Sequence, residues 1–134
     1  MEKQRIAIAM MLLRLGIFVV MIMWTLDKFI NPQHSGAVFE KFYGLDGLSS
    51  TAFVIIGLFQ LVVVLAFAAG FMKHYSYGAV LILHGISTLS SWQQYLDPFN
   101  NLLFFAAWPM LAACIALYVL RDLDTSWTID DRGK

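Results

Sequence analysis

An apolar run near the start of the chain contains an arginine. The run covers residues 6–26, which is long enough to cross a bilayer, and Arg14 stands within it. On membrane-insertion scales, an arginine at the centre of a membrane helix costs about 2.5–3.5 kcal/mol, so it is rarely kept without a partner or a function. We therefore expect Arg14 to face the interior of a helix bundle. The alternative is that its long side chain extends to the lipid headgroups.

Composition assigns the chain to the integral membrane proteins. Of its 134 residues, 60% are hydrophobic and 13% are charged, which is too apolar for an ordinary soluble domain. The net charge is zero and the basic residues are scattered, so nucleic acid is excluded as a partner. The single cysteine, Cys114, excludes an internal disulfide and a CxxC thiol centre.

Four apolar segments predict an all-α fold, a four-transmembrane-helix bundle with an interfacial segment after helix one. The spans are residues 6–26, 52–71, 77–95 and 102–120, each close to the ~20 residues that a bilayer requires. Together they form one membrane domain, residues 1–121, and residues 122–134 form a polar cytoplasmic tail that we expect to be loosely ordered. Residues 33–50 mix aromatic and charged side chains, which fits a short interfacial helix or a loop with aromatic anchors equally well.

A few polar side chains lie within the predicted spans. On the third span they recur at intervals of three and four, so they share one helical stripe that should avoid lipid. These residues are His84, Ser87, Thr88, Ser91 and Gln94 or Tyr95. Gln60 is the strongly polar residue of the second span and is expected to face protein. Pro109, next to Trp108, is expected to bend the fourth span.

Basic residues in the short connections indicate the orientation. One side of a four-span chain collects Lys3, Arg5, Lys73, Arg121, Arg132 and Lys134, and the other side has Lys28 and Lys41. This asymmetry places both termini in the cytoplasm. In that arrangement Arg14 and His84 each lie seven or eight residues into a span, ~11 Å from its cytoplasmic edge, and therefore at a shared level.

Four short motifs carry a resemblance to a known family. They are Arg14-Leu15-Gly16 in the first helix, Lys28 followed by Pro32 at its end, Gly57-Leu58-Phe59-Gln60 in the second helix and Gly70-Phe71-Met72-Lys73 at its exit. With the four-span layout, the chain resembles the DoxX/DoxD-like membrane proteins, whose name derives from a subunit of an archaeal thiosulfate:quinone oxidoreductase. The resemblance implies a bacterial or archaeal cytoplasmic membrane and a link to quinones. Many members have an acidic residue where this chain has Gln60, so no carboxylate role is carried over.

A quinone-like molecule is the candidate ligand, because its carbonyls need hydrogen-bond donors and its ring and tail need apolar surroundings. We expect Arg14, His84 and Gln60 to turn inward and meet. The candidate binding residues are Arg14, Gln60, His84, Ser87 and Trp108. The alternatives are a structural hydrogen bond for His84 and a membrane-belt position for Trp108.

Other titratable residues are interpreted as structural. Asp27 and Lys28, at the outer end of the first helix, are predicted to form an interfacial ion pair. Asp97, Asp122 and Asp124 flank helices and are interpreted as solvated helix ends. No two acidic residues fall inside the spans, so paired-carboxylate catalysis is excluded.

A haem or metal site is not expected. Membrane b-type haem normally uses two histidines from facing helices, but His34 and His74 are assigned to loops, which leaves His84 alone within a span. One histidine and one distant cysteine, Cys114, do not make a metal site. No cofactor is therefore certain, and a quinone is the only candidate.

These observations favour a small membrane subunit without catalytic activity of its own, an accessory component of a quinone-linked redox complex. Its expected partners are membrane lipid and another membrane protein subunit. The alternative is a structural or assembly subunit that packs against a larger complex. A small carrier is a third interpretation, but four helices with few polar residues offer little material for an aqueous path.

Overall fold

The computed structural model describes residues 1–44 and 50–132, and these residues form helices and turns but no strand. Helix α1 covers Glu2–Ile30, and α2, Pro32–Val38, follows it and continues into a π-helical turn, Phe39–Tyr43. Two further long helices are α3, Ser50–Ala68, and α4, Lys73–Ser90. The short α5, Trp92–Tyr95, and two 3-10 turns, Pro98–Asn100 and Leu102–Ala106, lead to α6, Ala107–Val119, and a last 3-10 turn, Arg121–Leu123. The all-α prediction is confirmed.

Three helical segments are long and apolar enough to cross a membrane. They are Glu2–Ile30, Thr51–Ala68 and Leu102–Val119. Helix α4 is not among them, since it begins with Lys73 and His74 and also carries His84, Ser87 and Thr88 of the predicted polar stripe. These three segments support the assignment of the chain to the membrane proteins.

The four long helices pack in a closed order around one core. Helix α1 contacts α3 and α6, and α4 contacts the same two helices. Buried residues of α1 recur every three or four positions, which is the spacing of one helix face. Arg14 belongs to that face. The core consists of Met10, Ile17, Met21, Val64, Phe67, Tyr77, Val80, Cys114 and Leu117. Large apolar side chains such as Phe59, Val62 and Ile86 remain exposed on outer faces, as lipid contact requires.

The segment after α1 is helical rather than a plain loop. Helix α1 ends at Ile30, as the Asn31-Pro32 pair predicts, and Pro32 becomes the first residue of α2, where its missing N–H is not needed. The helical path continues to Tyr43 and ends at Gly44, whose φ of 67° is left-handed. The remaining part of the expected interfacial segment, residues 45–49, lies outside the described residues.

Pro109 lies near the start of a helix and not in its middle. Residues 102–106 form a 3-10 turn, and regular α-helix begins at Ala107, two residues before the proline. Because the first turn of a helix has no intrahelical acceptor for its N–H groups, proline is tolerated there. The bend that we predicted inside the fourth span is therefore a change from 3-10 to α geometry at its beginning.

The segment after α6 folds back over one end of the bundle. The N–H groups of Ile129 and Asp130 donate to the carbonyls of Ala69, at 2.8 Å, and Gly70, at 3.2 Å. The Asp130 carboxylate accepts the N–H groups of Met72, at 2.8 Å, and Lys73, at 2.9 Å. The loosely ordered tail expected from the sequence is wrong for residues 122–132. The segment supplies partners to backbone groups that the end of α3 and the start of α4 leave open.

Candidate functional site

Arg14 forms a buried ion pair with Asp124. The Arg14 side chain is 1% exposed, Asp124 is 0% exposed, and Arg14 Nη1 lies 2.5 Å from Asp124 Oδ1. The other nitrogen, Nη2, donates to the carbonyls of Ser126, at 2.8 Å, and Trp127, at 3.3 Å. Tyr77 donates its hydroxyl to Asp124 Oδ2 at 2.5 Å. Arg14 therefore lies inside the bundle and does not extend to headgroups, and the interpretation of Asp124 as a solvated helix end is wrong.

A second buried cation holds the same segment. Lys73 Nζ donates to the carbonyls of Arg121, at 2.9 Å, and Asp124, at 3.0 Å, and to Asp131 Oδ2 at 2.6 Å. Both Lys73 and Asp131 have side chains that are at most 12% exposed. A buried charge is tolerated only when it is paired and hydrogen-bonded, and this arrangement meets both conditions. Arg14 and Lys73 thus fasten the C-terminal segment to the bundle.

Arg14 and His84 do not share a level. Arg14 Nη1 lies 3.4 Å from the hydroxyl of Tyr77 on α4, whereas His84, seven residues further along α4, stacks on Trp24 with ring centroids 6.0 Å apart. At 1.5 Å per residue, His84 is about 10 Å further along the bundle than Tyr77. The expected common level fails because α1 and α4 are shifted relative to each other along the bundle. Arg14 lies twelve residues after the start of α1 at Glu2, but it contacts Tyr77, which lies only four residues after the start of α4 at Lys73.

A cavity of about 760 Å³ lies beside His84, within the usual range for small-molecule sites. Its walls come from α1, from α2 with the π-helical turn, from α4, and from the start of α6 with the 3-10 turn before it. His84, Ser87, Thr88 and Ser91 line it, so the predicted polar stripe of the third span borders this cavity. Aromatic residues make up much of the remaining wall: Trp24, Phe39, Phe42, Tyr43 and Phe104.

His84 is held by two short-range contacts on one ring nitrogen. Its Nε2 lies 3.0 Å from the Ala107 carbonyl and 3.2 Å from Thr88 Oγ1. The Thr88 hydroxyl also lies 2.8 Å from the His84 carbonyl and donates to it. The other nitrogen, Nδ1, is buried and has no hydrogen-bond partner among the described residues. The structural hydrogen bond predicted as the alternative for His84 is present at Nε2, and Nδ1 has no partner among the described residues.

Two of the five predicted binding residues line the cavity. His84 and Ser87 do so, whereas Arg14, Gln60 and Trp108 do not belong to the described lining. Gln60 is buried on α3, as expected. Trp108 is half-exposed and packs on Tyr95 with ring centroids 5.3 Å apart. The predicted contact among Arg14, His84 and Gln60 is wrong. Arg14 binds Asp124, whereas His84 binds Ala107 and Thr88.

Asp27 pairs with His34 rather than with Lys28. Asp27 Oδ2 lies 2.6 Å from His34 Nδ1 and 3.3 Å from Ser35 Oγ. Lys28 Nζ instead lies 3.4 Å from the Trp24 carbonyl and 5.9 Å from the ring centre of Phe39. His34 belongs to α2 and His74 to α4, so their assignment to loops is wrong.

Replacing His34 with alanine is expected to change the free energy of unfolding by less than about 1 kcal/mol, because the Asp27–His34 pair is exposed and water competes with it. The two side chains are 58% and 31% exposed for His34 and Asp27. Unfolding of the purified protein in mixed detergent micelles measures the change. A loss comparable to that from breaking the buried Arg14 pair would contradict this ranking.

No group of three or more His, Cys, Asp or Glu side chains in residues 1–44 and 50–132 is placed to hold a metal ion. Cys114 is a buried free thiol. The described lining of the cavity offers hydrogen-bonding groups and aromatic side chains.

Sequence reasoning missed three residues, Lys73, Tyr77 and Asp124. The sequence did contain an indication of these contacts, because no predicted span has an acidic residue that could neutralise the charge of Arg14. The acidic residues predicted at its end of the bundle lie mostly in the C-terminal segment: Asp122, Asp124, Asp130 and Asp131. A compensated Arg14 therefore required that this segment fold back onto the helices.

No family model, no curated protein and no solved structure matches the chain. The resemblance to DoxX/DoxD-like proteins stays a prediction that depends on the short motifs of residues 12–73.

Proposed function

We propose that the protein is a four-helix membrane subunit that binds a quinone-like molecule and serves as an accessory component of a membrane redox complex. The cavity beside His84 is the observation that carries this proposal. It combines a buried polar stripe on α4 with aromatic walls. An amphipathic molecule with an aromatic head fits such a site, since its ring packs on aromatic side chains and its head reaches hydrogen-bonding groups.

In this proposal α4 is the fourth membrane span. Two polar residues in its second half, His84 and Thr88, are each 1% exposed, and its outer face carries Ile82, Ile86 and Leu89, which are exposed. Such a helix can cross a bilayer because its polar side chains are hidden by the bundle. The excess of basic residues then places both termini on the cytoplasmic side, and the segment after α1 lies at the opposite interface.

The protein's part in the chemistry is to bind and orient. Electron transfer belongs to the quinone and to the partner subunit. The described residues offer positioning groups, His84 and Ser87, beside an apolar chamber. A subunit of this kind delivers or holds the ligand for a neighbouring redox protein.

Filling the cavity tests the proposal. Gly16 lines the cavity, and a Cβ added there would meet no atom within 4 Å, so Gly16→Phe should occupy the chamber without disturbing the packing. We expect the variant to bind a decyl-substituted benzoquinone, and its quinol, at least tenfold more weakly than the parent. Equilibrium binding to protein in lipid nanodiscs measures the affinity, with empty nanodiscs subtracted.

Val19→Phe is the matched control. Val19 lies on α1 three residues from Gly16, is exposed, and is outside the described cavity lining. This variant adds a phenyl ring to the outer face and should leave binding unchanged. If the parent protein binds neither molecule, or if Gly16→Phe binds them as well as the parent does, the ligand-binding role is wrong and a purely structural subunit is the remaining candidate.

A further inference from the structure

The hydrogen bonds of His84 determine which of its nitrogens carries the proton. The Ala107 carbonyl, 3.0 Å from Nε2, can only accept a hydrogen bond. The Thr88 hydroxyl donates its own proton to the His84 carbonyl at 2.8 Å, so toward Nε2 it also acts as an acceptor. Both neighbours of Nε2 are therefore acceptors, and Nε2 must be the nitrogen that bears the hydrogen.

The described surroundings of His84 offer it no free carboxylate. The acidic residue in the described cavity lining is Asp27, and it is already bound to His34 and Ser35. The other charged group of the lining, Lys28, is a cation and would oppose a second positive charge. A buried imidazolium without a carboxylate beside it is costly. With Nε2 protonated and the ring neutral, Nδ1 is a hydrogen-bond acceptor.

That acceptor has no partner. Nδ1 is buried away from water and makes no hydrogen bond within the described residues, while the His84 ring lines a chamber of about 760 Å³. A buried polar atom without a partner is uncommon and typically costs about 1–3 kcal/mol. A molecule that enters the cavity and donates a hydrogen bond to Nδ1 removes this cost, whereas a molecule that can only accept does not.

We propose that the cavity selects an amphipathic phenol or quinol, whose aromatic hydroxyl donates a hydrogen bond to Nδ1 of His84. This inference rests on the proposed function and specifies the ligand class. Because Nδ1 is buried, the hydrogen bond requires the imidazole, which stacks on Trp24 at 6.0 Å, to rotate so that this nitrogen faces the chamber. Because an oxidised quinone has carbonyl acceptors and no hydroxyl donor, the reduced form binds more tightly. No electron or proton transfer is involved.

A redox-inert pair of probes isolates the hydrogen bond. 4-Decylphenol and its methyl ether have the same ring and alkyl tail, but only the phenol can donate. We expect the phenol to bind about tenfold more tightly to the protein in nanodiscs, after the signal from nanodiscs with the Gly16→Phe variant has been subtracted. Equal affinities for the two probes would overturn the inference while leaving the proposed function intact. Failure of both probes to bind would overturn the proposed function as well.

A second experiment removes the proposed acceptor, Nδ1 of His84. His84→Phe keeps an aromatic ring against Trp24 and removes both nitrogens, so the preference for the phenol should disappear. Ser90→Ala should retain the preference, because the Ser90 hydroxyl belongs to the same lining but is already bound to the Ser87 carbonyl at 2.8 Å. Persistence of the preference in a folded His84→Phe protein would assign the acceptor to another residue and overturn the inference.

A spectroscopic readout needs no variant. In protein with ¹⁵N-labelled histidine, the resonance of the unprotonated ring nitrogen of His84 should move when the phenol is added and stay in place with the methyl ether. 1-Decanol tests the aromatic part of the inference, since it offers a hydroxyl without a ring and should bind more weakly than the phenol. Binding of decanol as tight as that of the phenol would remove the aromatic requirement.

Discussion

Replacing Asp124 with alanine is expected to destabilise the protein by about 3–5 kcal/mol, because the guanidinium of Arg14 would stay buried without its counterion. The pair is 1% and 0% exposed, so water cannot take the place of the carboxylate. The replacement also leaves the Tyr77 hydroxyl without its acceptor. Reversible unfolding in mixed detergent micelles, followed by helical circular dichroism, measures the loss.

Asp122→Ala is the matched control for Asp124→Ala. Asp122 has the same side chain, lies two residues earlier and is exposed, so its replacement should change the free energy of unfolding by no more than about 0.5 kcal/mol. The double variant Arg14→Met, Asp124→Leu removes both charges and should recover most of the stability. Equal losses from the two aspartate variants would show that the Arg14 pair does not hold the C-terminal segment.

The second large effect is expected at Gly70. Its φ of 63° is left-handed, and a Cβ added there would overlap the side chain and Cα of Thr128. The left-handed conformation costs about 1–2 kcal/mol for a residue with a Cβ, and overlap with backbone adds to this. Gly70→Ala should therefore lower the free energy of unfolding by at least about 2 kcal/mol and should release residues 125–132 from the bundle.

Two measurements check the Gly70 prediction, unfolding in micelles and the rate of limited proteolysis within residues 125–132. Gly16→Ala is the control, since Gly16 is within α1 and a Cβ there meets nothing within 4 Å. In a helix interior, alanine is more favourable than glycine by roughly 0.5–1 kcal/mol, so this variant should be as stable as the parent or slightly more so. Unchanged proteolysis of Gly70→Ala would contradict the close packing of the turn between α3 and α4 on the C-terminal segment.

Much of the fold follows from local rules that the sequence displays. The apolar runs predict the long helices, Asn31-Pro32 predicts the end of α1, and the three-and-four spacing from His84 to Ser91 predicts a buried stripe. Each of these depends on residues within one or two turns of each other. Burial of Arg14 was also the expected position, because an arginine within an apolar span is rarely kept without a partner.

The partners of the buried groups depend on tertiary packing and could not be predicted in the same way. Arg14 binds Asp124, 110 residues later, and no periodicity connects them. The relative depth of His84 and Arg14 depends on how far α1 is shifted along α4, which is set by contacts between the two helices. The cavity likewise depends on the path of residues 32–43. The sequence fitted a helix and a loop equally well for this segment. Most of the errors concern long-range contacts, and the assignment of His34 and His74 to loops was a local error.

The pairing of Arg14 with Asp124 also has a consequence for biosynthesis. The two residues are separated by 110 positions, which a ribosome translates in roughly 5–20 s. During that interval Asp124 has not yet been made, so Arg14 lacks the counterion that it has in the folded protein. Final consolidation of the N-terminal helix therefore waits for the last part of the chain to be made.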